Sequence, residues 1–282
     1  MPSPDPPIRL VISDFDGTIK PRLEPVAPED CQVLRAMGRA GLVRAVATGR
    51  SLVSFLRDWP RELELDYLIY SSGLALCRWT PQGPGEHLFV KAFTPAEQVL
   101  GLSASLALEW GFLAFKAPPD SHAFYYLDPP RGPRSAGFQA RLEQFKSVAS
   151  PWPGFNPPEP LSQFLIMAPA EEFPALRTRF ADLAPGLSIT QSSSPYEDDC
   201  VWLEVFPGGV SKGSASQALV ELLGWGPESA AAVGNDFNDE DLLAWAGRSF
   251  AVPGAPAELL ARFEPLPGPG CVLARLWRAL GH

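Results

Sequence analysis

The stretch Val11-Ile-Ser-Asp-Phe-Asp-Gly-Thr-Ile19 decides how the chain is read. An apolar run beginning at Ile8 ends on two carboxylates, Asp14 and Asp16, and Gly17 follows at once. Such a run reads as a buried strand, and a strand end is a costly place to gather negative charge. A solvated Asp-Gly turn is the plain explanation. The apolar approach favours another, a hard divalent cation that relieves the repulsion. Mg2+ is typically held by one or two carboxylates together with the phosphate of a substrate.

Outward from this strand the pattern alternates. Residues 28 to 40 have helical spacing at Val33, Leu34 and Met37, with Glu29 and Asp30 in the first turn and Gly41 as a stop. Strands are expected at 43–47 and 67–70, with a helix at 51–59 between them. The same grammar returns late: helices at 211–223, 239–245 and 271–280, strands at 230–233 and 249–252. Short strands alternating with helices imply a parallel sheet with right-handed crossovers. Between the halves the texture changes. Proline- and glycine-rich connectors (81–85, 129–133, 151–154, 157–158) separate candidate strands at 124–127, 164–168 and 201–206 from helical patterns near 95–110, 137–148 and 171–183. The expected organisation is a split α/β core, 1–80 and 206–282, carrying an α+β insert over 81–205. The aromatics Phe112, Phe115, Phe124, Tyr125 and Tyr126 read as core of that insert.

Composition narrows the function. With 23 Lys and Arg against 32 Asp and Glu the net charge is −9, which argues against a nucleic-acid partner and leaves room for a small anion at a locally positive site. No apolar stretch approaches the ~18 to 20 residues of a membrane span. The opening Met-Pro-Ser-Pro-Asp-Pro-Pro lacks the basic and apolar regions of a secretion signal, so a cytoplasmic protein is expected. Cys31, Cys77, Cys200 and Cys271 are far apart and read as free thiols rather than disulfide or zinc partners.

Ligands of open α/β sheets bind beyond the carboxyl ends of the strands, and three further clusters fall there. Ala47-Thr-Gly-Arg-Ser51 places a hydroxyl and a glycine between a strand and a helix, where backbone N–H groups can bind an anion. Gly208-Gly-Val-Ser-Lys-Gly213 places Lys212 at the opening of a helix. Gly234-Asn-Asp-Phe-Asn-Asp-Glu-Asp241 carries more acids than helix capping needs. Each has an ordinary reading, as a capped turn, a solvated lysine or an acidic helix start. In this order and at strand ends they point together to phosphate chemistry.

Asp14-Phe-Asp-Gly-Thr18, Thr48-Gly-Arg50, Lys212 and Gly234-Asn-Asp-Phe-Asn-Asp239 resemble motifs I to IV of the haloacid dehalogenase (HAD) superfamily. The late pairing of Gly-Val-Ser-Lys-Gly with Gly-Asn-Asp-x-Asn-Asp resembles its Cof-type subgroup, which is similar to sucrose-phosphate, trehalose-phosphate and mannosyl-phosphoglycerate phosphatases. The resemblance spans residues 8–75 and 205–282. It implies a Rossmann-like core with an inserted cap that selects the substrate, and a Mg2+-dependent phosphomonoesterase acting on a small phosphorylated metabolite, a sugar phosphate by subgroup. In that reading Asp14 is the nucleophile that forms an aspartyl-phosphate, and Asp16 is the acid and base, its carbonyl touching the metal. Thr48, the Gly49 N–H, Arg50 and Lys212 hold the phosphoryl group, Asn238 contacts substrate, and Asp239 orients Lys212 or metal-bound water. The sequence departs from the subgroup's Gly-Asp-x-x-Asn-Asp at one place: Asn235 stands where the metal-binding aspartate is expected, with Asp236 one residue on. Either could be the ligand; register with Asn238 and Asp239 favours Asn235. The alternatives are phosphomutase-type transfer and a non-catalytic binding or regulatory protein on the same core; a monomer or small homo-oligomer is expected.

Overall fold

The computed structural model describes residues 7–130, 133–154, 159–197 and 199–282. Of the segments read above, the start of the chain, 131–132 and 157–158 lie outside the described residues. In chain order the elements are β1 (Leu10–Ser13), α1 (Pro28–Arg39), β2 (Val43–Ala47), α2 (Leu52–Asp58), β3 (Tyr67–Tyr70), β4 (Ala75–Thr80) and β5 (Gly83–Val90). Then come α3 (Pro95–Ala107), β6 (Phe112–Lys116), β7 (Phe124–Leu127), α4 (Ala136–Gln144), β8 (Ala149–Pro151), β9 (Leu161–Pro169), α5 (Phe173–Leu183), β10 (Ser188–Ser193) and β11 (Cys200–Phe206). The chain closes with α6 (Lys212–Leu222), β12 (Ala230–Gly234), α7 (Glu240–Trp245), β13 (Arg248–Ala251), α8 (Ala257–Leu260), β14 (Glu264–Pro265) and α9 (Val272–Ala279).

One sheet draws on both chain ends, in the order β14-β13-β12-β1-β2-β3-β4-β5. It is parallel from β14 to β3, and β4 runs antiparallel to β3. The expected α/β class with a parallel sheet is therefore borne out. All four residues of β1 are buried, as a strand covered on both faces requires. Leu10, Ile12, Ala45, Ala47, Ala230 and Ala232 form one cluster with Leu219 and Val220 of α6 and Leu242 and Leu243 of α7. Small side chains on β12 let the helices approach closely. α1 packs against α9, and Asp30 Oδ1 accepts the Leu273 N–H at 2.8 Å.

The chain separates into two compact units, 1–50 with 55–89 and 211–282, and 51–54 with 90–210. These divisions differ from the expected breaks at 80/81 and 205/206. The segment 81–85 is not a free connector: Pro81 and Gln82 make a turn, Gly83 adopts φ +112°, and β5 continues the core sheet as its edge strand. Pro84 is tolerated there because an edge strand has one side without ladder bonds.

The second unit carries a six-stranded sheet, β10-β11-β9-β6-β7-β8, antiparallel except where β7 meets β8. Its strands alternate between two cores. Phe112, Phe164, Leu203 and Val205 join Leu102 of α3 and Phe180 of α5, whereas Phe115, Leu165 and Met167 join Phe138 and Leu142 of α4. The period-2 alternation of a strand puts Phe112 and Phe115 on opposite faces. Thr94 and Glu97 close a capping box at the start of α3. All four cysteines are free thiols.

Phe164 is fully buried; its ring lies 5.3 Å from that of Phe93 and 6.0 Å from that of Phe112. A side chain at Gly101 would come within 2.8 Å of it, so α3 rests on the ring itself. Phe164→Ala should cost about 3–5 kcal/mol in urea denaturation followed by tryptophan fluorescence. A loss below about 1 kcal/mol would mean that α3 collapses freely into the space.

Candidate active site

The carboxyl ends of the central strands set the site. Asp14 follows β1 directly, and its N–H is bonded to the Val233 carbonyl of β12 at 2.9 Å. Lys212 is the first residue of α6, whose N-cap Ser211 exchanges hydrogen bonds with Ser214. A Cβ on Gly73 would lie 2.1 Å from the Ser211 carbonyl, so the helix start reaches its place only because residue 73 has no side chain. Asp239 ends the 3-10 turn Phe237–Asp239 after β12.

These elements bring three charges together. The Lys212 ammonium, 1% exposed, donates to Asp14 Oδ1 at 2.7 Å and Asp239 Oδ1 at 2.6 Å, and more loosely to Asn238 Oδ1 at 3.4 Å. Three protons thus meet three acceptors. Asp239 Oδ2 is occupied in turn by the N–H groups of Asn235 (2.9 Å) and Asp236 (3.2 Å). Burial opposes the charge of Lys212, but the two carboxylates outweigh it and hold the ammonium well above the ordinary lysine range. Burial first, and then the charge of Asp239, push the Asp14 carboxyl up to about 8 against the pull of Lys212. Asp14 is therefore the group that most needs another positive partner.

The structure offers a place for one. The end of the Asn235 amide lies 2.8 Å from the Asp16 carbonyl, 3.0 Å from Asp14 Oδ2 and 3.1 Å from Thr18 Oγ1. With its nitrogen turned there, the amide donates toward the Asp16 carbonyl, Thr18 Oγ1 and Asp14 Oδ2. With its oxygen turned there, it accepts from Thr18 and lies about 3 Å from both the Asp16 carbonyl and Asp14 Oδ2. Octahedral Mg2+, with bonds of about 2.1 Å, has cis oxygen edges of about 3 Å. A carboxylate, a carbonyl and an amide oxygen are hard donors suited to that ion. Gly17, at φ +77°, makes the approach possible, since a Cβ there would lie 2.3 Å from the Asn235 nitrogen. Asp236 instead opens the 3-10 turn, with its N–H on Asp239.

Asp16 and Arg50 form a separate pair. The guanidinium grips both oxygens of the Asp16 carboxylate at 2.7 Å and reaches Asp58 Oδ2 at 2.5 Å. Its charge is fixed by these partners: burial opposes it, but the bonds to Asp16 and Asp58 raise its pKa above the ordinary arginine value. Thr48 is fully buried, and its Oγ1 accepts the Arg50 N–H at 3.1 Å. The sequence-expected residues thus fall in two groups. Asp14, Lys212, Asn235, Asn238 and Asp239 converge, while the Asp16 carboxylate and Arg50 engage each other.

Two features escape sequence reasoning. Asp58 lies at the end of α2, where an acid reads as a solvated helix end. Ser71 and Ser72, after β3, adopt φ of +50° and +55°, a left-handed region that costs non-glycine residues on the order of 1 kcal/mol each. Their N–H groups hold the Arg50 and Thr48 carbonyls at 2.8 and 3.0 Å. The only sequence signal was a Ser-Ser-Gly turn after a strand.

A parallel α/β sheet with an aspartate pair, a buried lysine and a second acid at its carboxyl edge defines a phosphate-handling hydrolase site. The model of the haloacid dehalogenase-like hydrolases matches residues 11–264, and the chain belongs to that family. It is similar to a protein of Cronobacter sakazakii called HMP-PP phosphatase, 29% identical over 272 residues, covering 92% of this chain and 89% of the relative. It is also similar to a putative phosphatase of Haemophilus influenzae, 24% identical, covering 89% of each. Among solved structures, a haloacid dehalogenase-like hydrolase from B. subtilis superposes with a TM-score of 0.70 at 20% identity, over 92% of this chain and 94% of the other. A HAD subclass IIB sugar phosphatase does so with a TM-score of 0.70 at 16% identity, over 96% and 99%. At such identities these structures speak for the fold.

The raised Asp14 carboxyl has a signed consequence. In the unfolded chain an aspartate titrates near ~3.9, so between about 4 and about 8 the native state holds a proton that the unfolded state has lost. The group's contribution to stability therefore rises as pH falls through that window. In chelator, Asp14→Asn should melt above the wild type at pH 8.5, and its advantage should shrink toward pH 5, as read by calorimetry. A variant that melts below the wild type at pH 8.5 would show that the Lys212 pairing outweighs burial.

Proposed function

We propose that the protein is a Mg2+-dependent phosphomonoesterase acting on a small phosphorylated metabolite through an aspartyl-phosphate on Asp14. The observation that carries this reading is the buried Lys212 ammonium shared by Asp14 and Asp239 beside the oxygens of Asp14, Asp16 and Asn235. A phosphoryl dianion approaching a lone carboxylate would be repelled; one approaching this group meets a fixed cation. Asp14, the Asp16 carbonyl and Asn235 would hold Mg2+, which when bound neutralises charge on the nucleophile and the phosphoryl oxygens.

In the first step an Asp14 carboxylate oxygen bonds to phosphorus and the phosphorus–ester oxygen bond breaks. Asp16, once released from Arg50 and protonated from water, gives that proton to the departing alkoxide. In the second, water attacks phosphorus and Asp16 takes its proton. The bond from phosphorus to the Asp14 oxygen breaks, and inorganic phosphate leaves. Thr48, the Gly49 N–H, Lys212 and Asn238 hold the phosphoryl oxygens, and Asp239 holds Lys212. Arg50, braced by Asp58, orients the Asp16 carboxylate. Substrate selection is assigned to the inserted unit. The curated relatives named for HMP-PP and the sugar phosphatase among the structural relatives make phosphorylated metabolites the class to screen.

Asp14→Asn should abolish phosphate release from any substrate, because an amide does not form the acyl-phosphate. Asp16→Asn should slow turnover by about 10²- to 10⁴-fold while still labelling with a reactive aryl phosphate. A screen of sugar monophosphates and HMP-PP with added Mg2+, reading released phosphate, tests the activity. Near-normal turnover by Asp14→Asn sinks the mechanism.

Asn235 supplies an oxygen without charge, so the cation would be held by one carboxylate where the subgroup's Gly-Asp-x-x-Asn-Asp would supply a second. Asn235→Asp should lower the Mg2+ concentration needed for half-maximal activity, and calorimetric Mg2+ binding should tighten in parallel. Asp236→Ala should leave both nearly unchanged. The reverse pattern would assign the cation to Asp236.

A further inference from the structure

Ser72 stands out among the buried polar groups. Its side chain is 96% buried, given its 4% exposure, and its hydroxyl has no hydrogen-bond partner among the described residues. Buried hydroxyls are ordinarily satisfied, and one that is not carries a desolvation cost. The residue also sits in the left-handed region at φ +55°, where nothing in its own side chain rewards the strain. Both costs fall on the turn that lies against the Thr48–Arg50 loop.

The surroundings of Gly49 give the hydroxyl a purpose. A Cβ at Gly49 would face two groups within 4 Å, Ser72 Oγ at 3.4 Å and Asn238 Nδ2 at 3.7 Å. The Asn238 oxygen is turned to Lys212, which leaves its NH2 end toward Gly49. The bare side of this glycine is thus bordered by a hydroxyl and an amide NH2, both able to donate, with the Lys212 ammonium behind the amide. Donors gathered around an exposed stretch of backbone suit the oxygens of an anion.

We infer that Ser72 is a further phosphoryl-binding residue, its hydroxyl donating to an oxygen of the phosphoryl group held at Thr48 and Gly49. This rests on the phosphatase reading above and adds to it a donor carried by the turn after β3 rather than by any of the four clusters legible in sequence. The left-handed turn at Ser71 and Ser72 is what directs that side chain to Gly49. The N–H bonds to the Thr48 and Arg50 carbonyls hold the turn in register.

The test is calorimetric titration of inorganic phosphate, in the presence of Mg2+, into the wild type, Ser72→Ala and Ser72→Gly. Removing one hydrogen bond to a charged acceptor should weaken phosphate binding roughly 10-fold or more in both variants. Ser72→Gly relieves the strained backbone and should melt at or above the wild type, so its weaker binding could not be blamed on unfolding. Phosphate affinity within twofold of the wild type in both variants overturns the assignment of Ser72 alone. A wild type that neither binds phosphate nor releases it from a phosphomonoester overturns this assignment together with the phosphatase reading. Loss in Ser72→Ala with full affinity in Ser72→Gly would assign the effect to the backbone and likewise overturn a role for the hydroxyl.

Discussion

The ammonium of Lys212 is the constraint on which the rest of the site depends. It is buried almost completely between two carboxylates from opposite ends of the chain. An unpaired charge at that depth would cost several kcal/mol, so α6, β1 and the turn after β12 are obliged to arrive together. Gly73 and Gly234 mark how tight that convergence is. A Cβ on the first would strike the Ser211 carbonyl, and on the second it would strike the Asp239 side chain at 2.6 Å. The same pairing leaves the charges unbalanced, two carboxylates to one lysine, and the imbalance falls on Asp14. A site left one positive charge short at Asp14 fits the cation of the proposed reading.

The second pairing serves a different end. Asp16 lies two residues from Asp14 on the same strand end, yet its carboxylate is taken by Arg50, which is itself braced by Asp58. The two acids are thus separated by their partners. One carboxylate faces a buried lysine and the other a partly exposed arginine, so neighbouring groups of one chemical type occupy unlike electrostatic environments.

Much of the core could be read in advance because its signals are local. Residues 10–13, 43–47, 67–70 and 230–234 are short apolar runs bounded by turn formers, and the helices between them show regular spacing. The β4–β5 hairpin was missed because Pro81, Gly83, Pro84 and Gly85 carry a loop's composition, while the edge position that excuses a proline exists only once the sheet does. Strand β6 was read as core aromatics without an element, since Phe112 and Phe115 are too close in sequence to show a period by themselves. Ser72 and Asp58 were silent for another reason. A serine in a turn and an acid at a helix end are the commonest of residues, and only their neighbours make them unusual.

By itself the sequence marked the residues of the candidate site: paired acids after an apolar run, a lysine at a helix start, a hydroxyl and glycine in a turn, and an Asn-Asp cluster after another strand. It also determined the α/β class, because strand and helix periods are properties of the local chain. Which of these side chains meet was decided only by the tertiary structure. The Asn235 amide lies beside Asp14, Asp236 opens the 3-10 turn, and Arg50 turns to Asp16 and Asp58. These outcomes depend on the side from which each strand end enters and on glycines that permit contacts under 3 Å. Distances across more than two hundred residues of chain are set by how the sheet closes around Lys212, and no local pattern encodes them.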